Sequence, residues 1–79
     1  MLDESCSIEI YSSRSCGYCH AARALLDTRG YDYVDIDITF DEKRREEMIE
    51  RSGRRSVPQI FVDSKPIGGY GDLLQLLNG

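Results

Sequence analysis

Ser15-Cys16-Gly17-Tyr18-Cys19-His20 carries two cysteines three residues apart, and the residues on either side place that pair where a strand gives way to a helix. Ahead of it runs Ser7-Ile8-Glu9-Ile10-Tyr11, in which apolar and polar residues alternate as in a half-buried strand. Behind it, Tyr18, Ala21, Ala22, Leu25 and Leu26 recur at three- and four-residue spacing, as on one face of a helix, and Gly30 is a stop signal. On the first turn of a helix, residues i and i+3 have Cβ atoms roughly 5–6 Å apart, so a disulfide can close between them with little backbone movement. Cys16, at the cap, meets unpaired backbone N–H groups and the positive end of the helix dipole, both of which favour a thiolate. Cys19, one turn further in, loses most of that help. The expectation is an unequal redox pair, with Cys16 the exposed nucleophile and Cys19 the buried resolving thiol.

Other chemistries fit parts of the pattern. Two reduced structural cysteines are the plainest alternative. Cys16-x-x-Cys19-His20 also satisfies the c-type haem attachment pattern. A haem protein of that type would be exported and mostly helical. This chain begins Met1-Leu2-Asp3-Glu4, without the basic and apolar regions of a signal peptide, and alternates strands with helices. A zinc site wants four nitrogen or sulfur ligands, and the chain offers three cysteines and one histidine. His20 reads as a solvent-facing residue of the first helical turn.

Composition narrows the class. A chain of 79 residues gives one domain, 1–79, with a small core. Hydrophobic residues at 41% and charged residues at 30% indicate a soluble globular protein, and no run of about 20 apolar residues could cross a membrane. A net charge of −4 argues against nucleic acid, because phosphate binding wants a basic surface. The odd cysteine count speaks against a disulfide framework and for a cytoplasmic protein with a catalytic pair and one spare thiol, Cys6.

After Gly30, Tyr33-Val34-Asp35-Ile36-Asp37-Ile38 alternates as a second strand, which completes a right-handed βαβ unit with parallel strands. Thr39-Phe40-Asp41-Glu42 has the form of a capping box, opening a helix that ends at Gly53 and is anchored by Phe40, Met48 and Ile49. Its run of Lys43, Arg44, Arg45, Glu46 and Glu47 reads as solvated surface. Gln59-Ile60-Phe61-Val62 is a buried strand, with Pro58 ahead of its ladder because proline has no N–H to give. Asp63-Ser64-Lys65-Pro66 turns the chain into a short antiparallel edge strand at Ile67. Gly68-Gly69-Tyr70-Gly71-Asp72 is a loop leading into a final helix, Leu73-Leu74-Gln75-Leu76-Leu77. The order is β-α-β-α-β-β-α: an α/β fold with a four-stranded mixed sheet.

Taken together, that order of elements, Cys16-Gly17-Tyr18-Cys19, Ser56-Val57-Pro58 and Gly68-Gly69-Tyr70-Gly71-Asp72 resemble a dithiol glutaredoxin of the thioredoxin-fold superfamily over essentially the whole chain. The resemblance implies a glutathione-dependent thiol-disulfide oxidoreductase that reduces protein-glutathione mixed disulfides and protein disulfides, with Cys16 and Cys19 catalytic. It also implies a cis bond before Pro58. Many dithiol members have proline where this chain has Gly17, a lysine near Ser13-Arg14, and a cysteine with an acidic pair where it has Tyr70-Gly71-Asp72.

The implied glutathione site follows residue by residue. The peptide lies extended along Val57 and Pro58, in the way an added strand pairs with a sheet edge. Its γ-glutamyl carboxylate meets the backbone of Gly71 and Asp72 at a helix start, Asp72 accepts from its ammonium, and Tyr18 covers the sulfur. Its glycyl carboxylate needs a cation, for which Arg14, Arg44 and Arg55 are candidates. Glutathione is then a co-substrate; partners are glutathionylated or disulfide-containing proteins; the chain is a monomer. Two other functions compete. One is a carrier in which a [2Fe-2S] cluster is held in a dimer by Cys16 and glutathione, a reading to which Gly17 gives room. The other is a thioredoxin-like reductant served by a flavoprotein, against which the glycine-rich loop argues.

Overall fold

The computed structural model describes residues 6–78. Met1-Leu2-Asp3-Glu4, read above for a leader, and Gly79 lie outside them. The elements run β1 (Ile8–Ser12), α1 (Gly17–Thr28), β2 (Val34–Asp37), α2 (Glu42–Ser52), β3 (Gln59–Val62), β4 (Lys65–Gly68) and α3 (Tyr70–Asn78). They form one four-stranded sheet in the order β2-β1-β3-β4, with β1 and β2 parallel and the other pairs antiparallel. This is the expected mixed sheet.

The sheet separates two apolar layers. On one face Ile8, Ile10 and Ile60 pack against Ala22 and Leu26 of α1 and Leu73 and Leu77 of α3. On the other, Tyr11 and Phe61 meet Ile38 and Met48, with α2 laid over them. The half-buried reading of the first strand is therefore corrected: Tyr11 is 0% exposed and faces the α2 layer. Its hydroxyl donates to Glu47 and accepts from Arg51 Nη1 at 2.8 Å, so the one polar group of a buried ring is satisfied from α2. Arg51 also grips Glu9 through both carboxylate oxygens, at 2.9 and 3.1 Å, and lies 4.1 Å over the Phe61 ring.

Helix ends show where local sequence held and where it did not. α1 closes with a left-handed Gly30: Gly30 N–H reaches Asp27 O at 3.1 Å and Tyr31 N–H reaches Leu26 O at 3.0 Å, the paired bonds of a Schellman motif. α2 stops at Gly53, at φ +75°, as the sequence predicts. Its start is corrected. The cap is Asp41, whose Oδ1 accepts from Arg44 N–H at 3.0 Å, because a carboxylate there reaches the third helical N–H directly. Thr39 bonds to Asp37 instead. Phe40, expected to anchor α2, is 87% exposed, so Met48, Ile49 and the Arg51 contacts hold the helix down.

Two further boundaries move. Asp63 and Ser64, both at positive φ, make a two-residue hairpin turn, which leaves Lys65 and Pro66 inside the edge strand β4. α3 begins at Tyr70, inside the segment read as a loop, because Asp72 Oδ2 accepts from Gly69 N–H at 3.0 Å and draws the first turn closed. Among the described residues no helix is long and apolar enough to cross a membrane.

Candidate active site

Cys16 is the N-cap of α1, in an extended conformation that turns its side chain back over the helix start. Its Sγ accepts from the Cys19 backbone N–H at 3.1 Å, so the sulfur does what a serine or aspartate oxygen does at ordinary caps. A negative sulfur there is held by a directed N–H and by the aligned peptide dipoles of a twelve-residue helix. Cys16 is half-buried, with Sγ 3.5 Å from the Val57 carbonyl oxygen; Cys19 is fully buried. Burial, with the neighbouring Cys16 sulfur as second cause, pushes the Cys19 thiol up to about 12. The two thiols are thus unequal in the sense the spacing predicts: one reachable, one withdrawn and held protonated.

Beside Cys16 opens a groove of about 390 Å³, within the range of small-ligand sites, lined among others by Tyr18, Arg54, Val57, Pro58, Tyr70 and Asp72. One wall is the segment entering β3, where the Val57-Pro58 bond is cis, as the family resemblance implies. The opposite wall is the start of α3, whose first turn presents Gly71 and Asp72. Tyr18 and Tyr70 bring their rings 6.0 Å apart at the mouth. The Asp72 carboxylate is already tied to Gly69 N–H, which fixes its position at that end.

The structure therefore gathers Tyr18, Val57, Pro58, Gly71 and Asp72 about one groove, with Cys16 against its Val57 wall and Cys19 buried beyond Cys16. It does not bring Arg14 there. Arg14 pairs with Asp37 at 3.4 Å and stacks on Phe40, on a different cavity wall. Arg44 pairs with Glu47 along α2, and neither it nor Arg55 is in the groove lining. The arginine that lines the groove is Arg54, which sequence reasoning missed along with Tyr70. Arg54-Arg55 follows a left-handed glycine, and which of two adjacent arginines turns inward depends on a backbone path that no local pattern encodes.

Known proteins share this arrangement. Residues 8–67 match the family model for glutaredoxin. The chain belongs to the glutaredoxin family. It is 49% identical to glutaredoxin 3 of Escherichia coli strain K12 over 70 residues, covering 89% of this chain and 84% of that relative. A glutaredoxin from Brucella melitensis solved in solution is 42% identical, with a TM-score of 0.77 over 91% of this chain and 78% of that one. A buckwheat glutaredoxin crystallised as a glutathione complex is 26% identical, with a TM-score of 0.82 over 95% and 71%. As a glutaredoxin, the chain is a thiol-disulfide oxidoreductase, and its Cys16-x-x-Cys19 motif is consistent with that family.

Proposed function

We propose that this glutaredoxin uses glutathione as its reductant and that its main reaction is release of protein thiols from protein-glutathione mixed disulfides. The observation that carries this reading is the groove beside Cys16, whose lining includes an arginine, two tyrosines and the start of α3. Cys16 thiolate attacks the glutathione sulfur, the protein thiol leaves, and glutathione remains on Cys16 as a mixed disulfide. A second glutathione then releases it, or Cys19 does so by closing the Cys16-Cys19 disulfide.

In the bound state the peptide backbone pairs along Val57, before Pro58. The γ-glutamyl carboxylate takes the unpaired N–H groups of Gly71 and Asp72, and the free oxygen of Asp72 faces the ammonium. Arg54 takes the glycyl carboxylate, in place of Arg14. Tyr18 and Tyr70 close over the sulfur and keep water from it. The glutathione complex of the buckwheat relative supports this reading. Such a cycle runs in a reducing compartment such as the cytoplasm, where glutathione keeps protein thiols reduced. The [2Fe-2S] alternative asks of this chain only the sulfur of Cys16, the other ligands coming from glutathione and a second copy. We favour the redox cycle because a groove of small-ligand size lies beside Cys16.

The test is turnover of a small-molecule glutathione mixed disulfide, with glutathione recycled by its own reductase, beside the same assay driven by thioredoxin reductase. Activity with glutathione alone is expected. Activity with the flavoprotein alone would sink the proposal.

A further inference from the structure

Gln59, the first residue of β3, is 1% exposed, yet only one end of its amide is engaged. Its Nε2 donates to Ser56 O at 2.9 Å and to Ser56 Oγ at 3.3 Å. Turning the amide over would set its oxygen against the Ser56 carbonyl, so these bonds fix the direction in which Oε1 faces. Among the described residues none donates to Oε1, and no fully buried side-chain polar atom lacks a partner, so Oε1 reaches open space. Gln59 borders two such spaces: the groove beside Cys16 and a smaller cavity of about 140 Å³ that adjoins it. Arg54 lines both as well, and the consecutive Gly68 and Gly69 join their walls. Arg54 is exposed, with its backbone N–H on Ser52 and its guanidinium in no hydrogen bond or ion pair with another described residue. A buried acceptor without a donor and a cation without an acceptor thus border the same opening.

We infer that Gln59 is a positioning residue for Arg54: its Oε1 takes one guanidinium N–H, and the rest of the fork is turned to a peptide carboxylate in the groove. This rests on the glutathione reading and deepens it, by naming what makes the site select a free glycyl carboxylate over a blocked one. A guanidinium carries five N–H donors in one plane and no acceptor, so it can bond an amide oxygen along one edge and a carboxylate along another. A long side chain left in water surrenders its rotamer freedom when the ligand arrives; docked on a buried amide that cannot turn, it surrenders less. The amide oxygen is neutral, so it steers Arg54 without competing for its charge, as a carboxylate in the same place would. Among the described residues the Gln59 side chain bonds Ser56 alone and neither cysteine, so its effect falls on which peptide is held and not on the sulfur chemistry.

The test compares two coloured probes on the reduced full chain carrying Cys6→Ser and Cys19→Ser. One is the mixed disulfide of glutathione with thionitrobenzoate; the other is the same compound with its glycyl carboxylate converted to the ethyl ester. The Cys16 sulfur attacks the glutathione sulfur, the disulfide between them forms, and the bond to thionitrobenzoate breaks as that group leaves as a coloured thiolate. The concentration dependence of its release gives a half-saturation point for each probe. The parent should prefer the free acid about tenfold. Gln59→Met should cut that preference to about twofold, and added to Arg54→Gln, which loses the preference by itself, it should change the ratio no further. Gln59→Glu, whose charge engages Arg54, should lose the preference too, and it decides the matter if Gln59→Met does not fold. A parent with no preference would remove Arg54 from the glutathione reading and this inference with it. A parent that prefers the free acid, with the preference intact in both Gln59 variants, overturns the inference alone. So does weakening of both probes by one factor, which marks Gln59 as an anchor of the Ser56 segment and nothing more.

Discussion

Gly68 is the position at which a single methyl group should do most damage to the groove. It is buried at φ +116°, a conformation that side-chain-bearing residues avoid, and a Cβ there would enter the Asp72 carboxylate, with Cγ only 2.6 Å away. Two effects add in Gly68→Ala. The backbone conformation costs about 1–2 kcal/mol for alanine. The Asp72 side chain can swing aside, but it then gives up its bond to Gly69 N–H and the closure of the α3 first turn, about 1 kcal/mol more. The total, about 2–3 kcal/mol, should lower the melting temperature of a domain this size by roughly 10–20 °C. Affinity for glutathione should fall as well, because Asp72 leaves the groove wall. Thermal unfolding followed by circular dichroism gives the first number, and a double-mutant cycle isolates the second. Once Asp72→Ala has removed the carboxylate, adding Gly68→Ala should cost only the backbone part, a coupling of about 1 kcal/mol between the sites. If Gly68→Ala costs under about 1 kcal/mol, or if the two substitutions add within ~0.5 kcal/mol, the account of this corner is wrong.

Cys16→Ser should abolish turnover, while Cys19→Ser should keep deglutathionylation and lose most reduction of protein disulfides; the reverse pattern in the two assays would exchange their roles. Arg54→Gln should raise the KM for glutathione about tenfold with kcat little changed, and Arg14→Gln should leave both alone; steady-state kinetics with glutathione varied distinguishes them. A thiol whose folded pKa lies above its unfolded value holds its proton longer when folded. Its stabilisation is therefore whole below about pH 8.5 and drains away as pH climbs towards the folded value of about 12. Urea unfolding of the reduced protein should accordingly show stability falling from pH ~9 upward, and Cys19→Ala should flatten that slope.

Much of this molecule is legible in its sequence because its signals are local. Period-two and period-3.6 patterns place all seven elements, and glycines mark the ends of α1 and α2. The three short motifs bring Cys16, Val57 and Asp72 together because each stands at the end of an element, and the topology converges those ends. What escapes is what depends on distance in space. Glu9 and Tyr11 read as the wet side of a strand because nothing nearby in sequence announces Arg51, some forty residues on, as their partner. Phe40 reads as an anchor by composition, yet the turn that lets Asp41 cap α2 directs it outward. Arg14 lies close to Cys16 along the chain, but Asp37 and Thr39 hold it on the other side of the strand end, and Arg54 reaches the groove instead.

The way α2 is fastened sets how the molecule loosens. Met48 is its only fully buried side chain, and the Arg51 grip on Glu9 and Tyr11 supplies much of the rest. A helix pinned by charge, one methionine and a half-buried isoleucine opens at lower free energy than one seated on a broad apolar layer, so amide protons of α2 should exchange for deuterium ahead of those of α1. Added salt should widen the gap by screening the ion pair. The chain passes from α2 directly into Arg54 and Val57, so each such opening should slacken one wall of the groove while α1 stays shut. Loosening of the groove and rigidity of the sulfur pair would in this way belong to separate cooperative units, so that on the proposed function a bulky glutathionylated protein is admitted without disturbing the spacing of the two thiols.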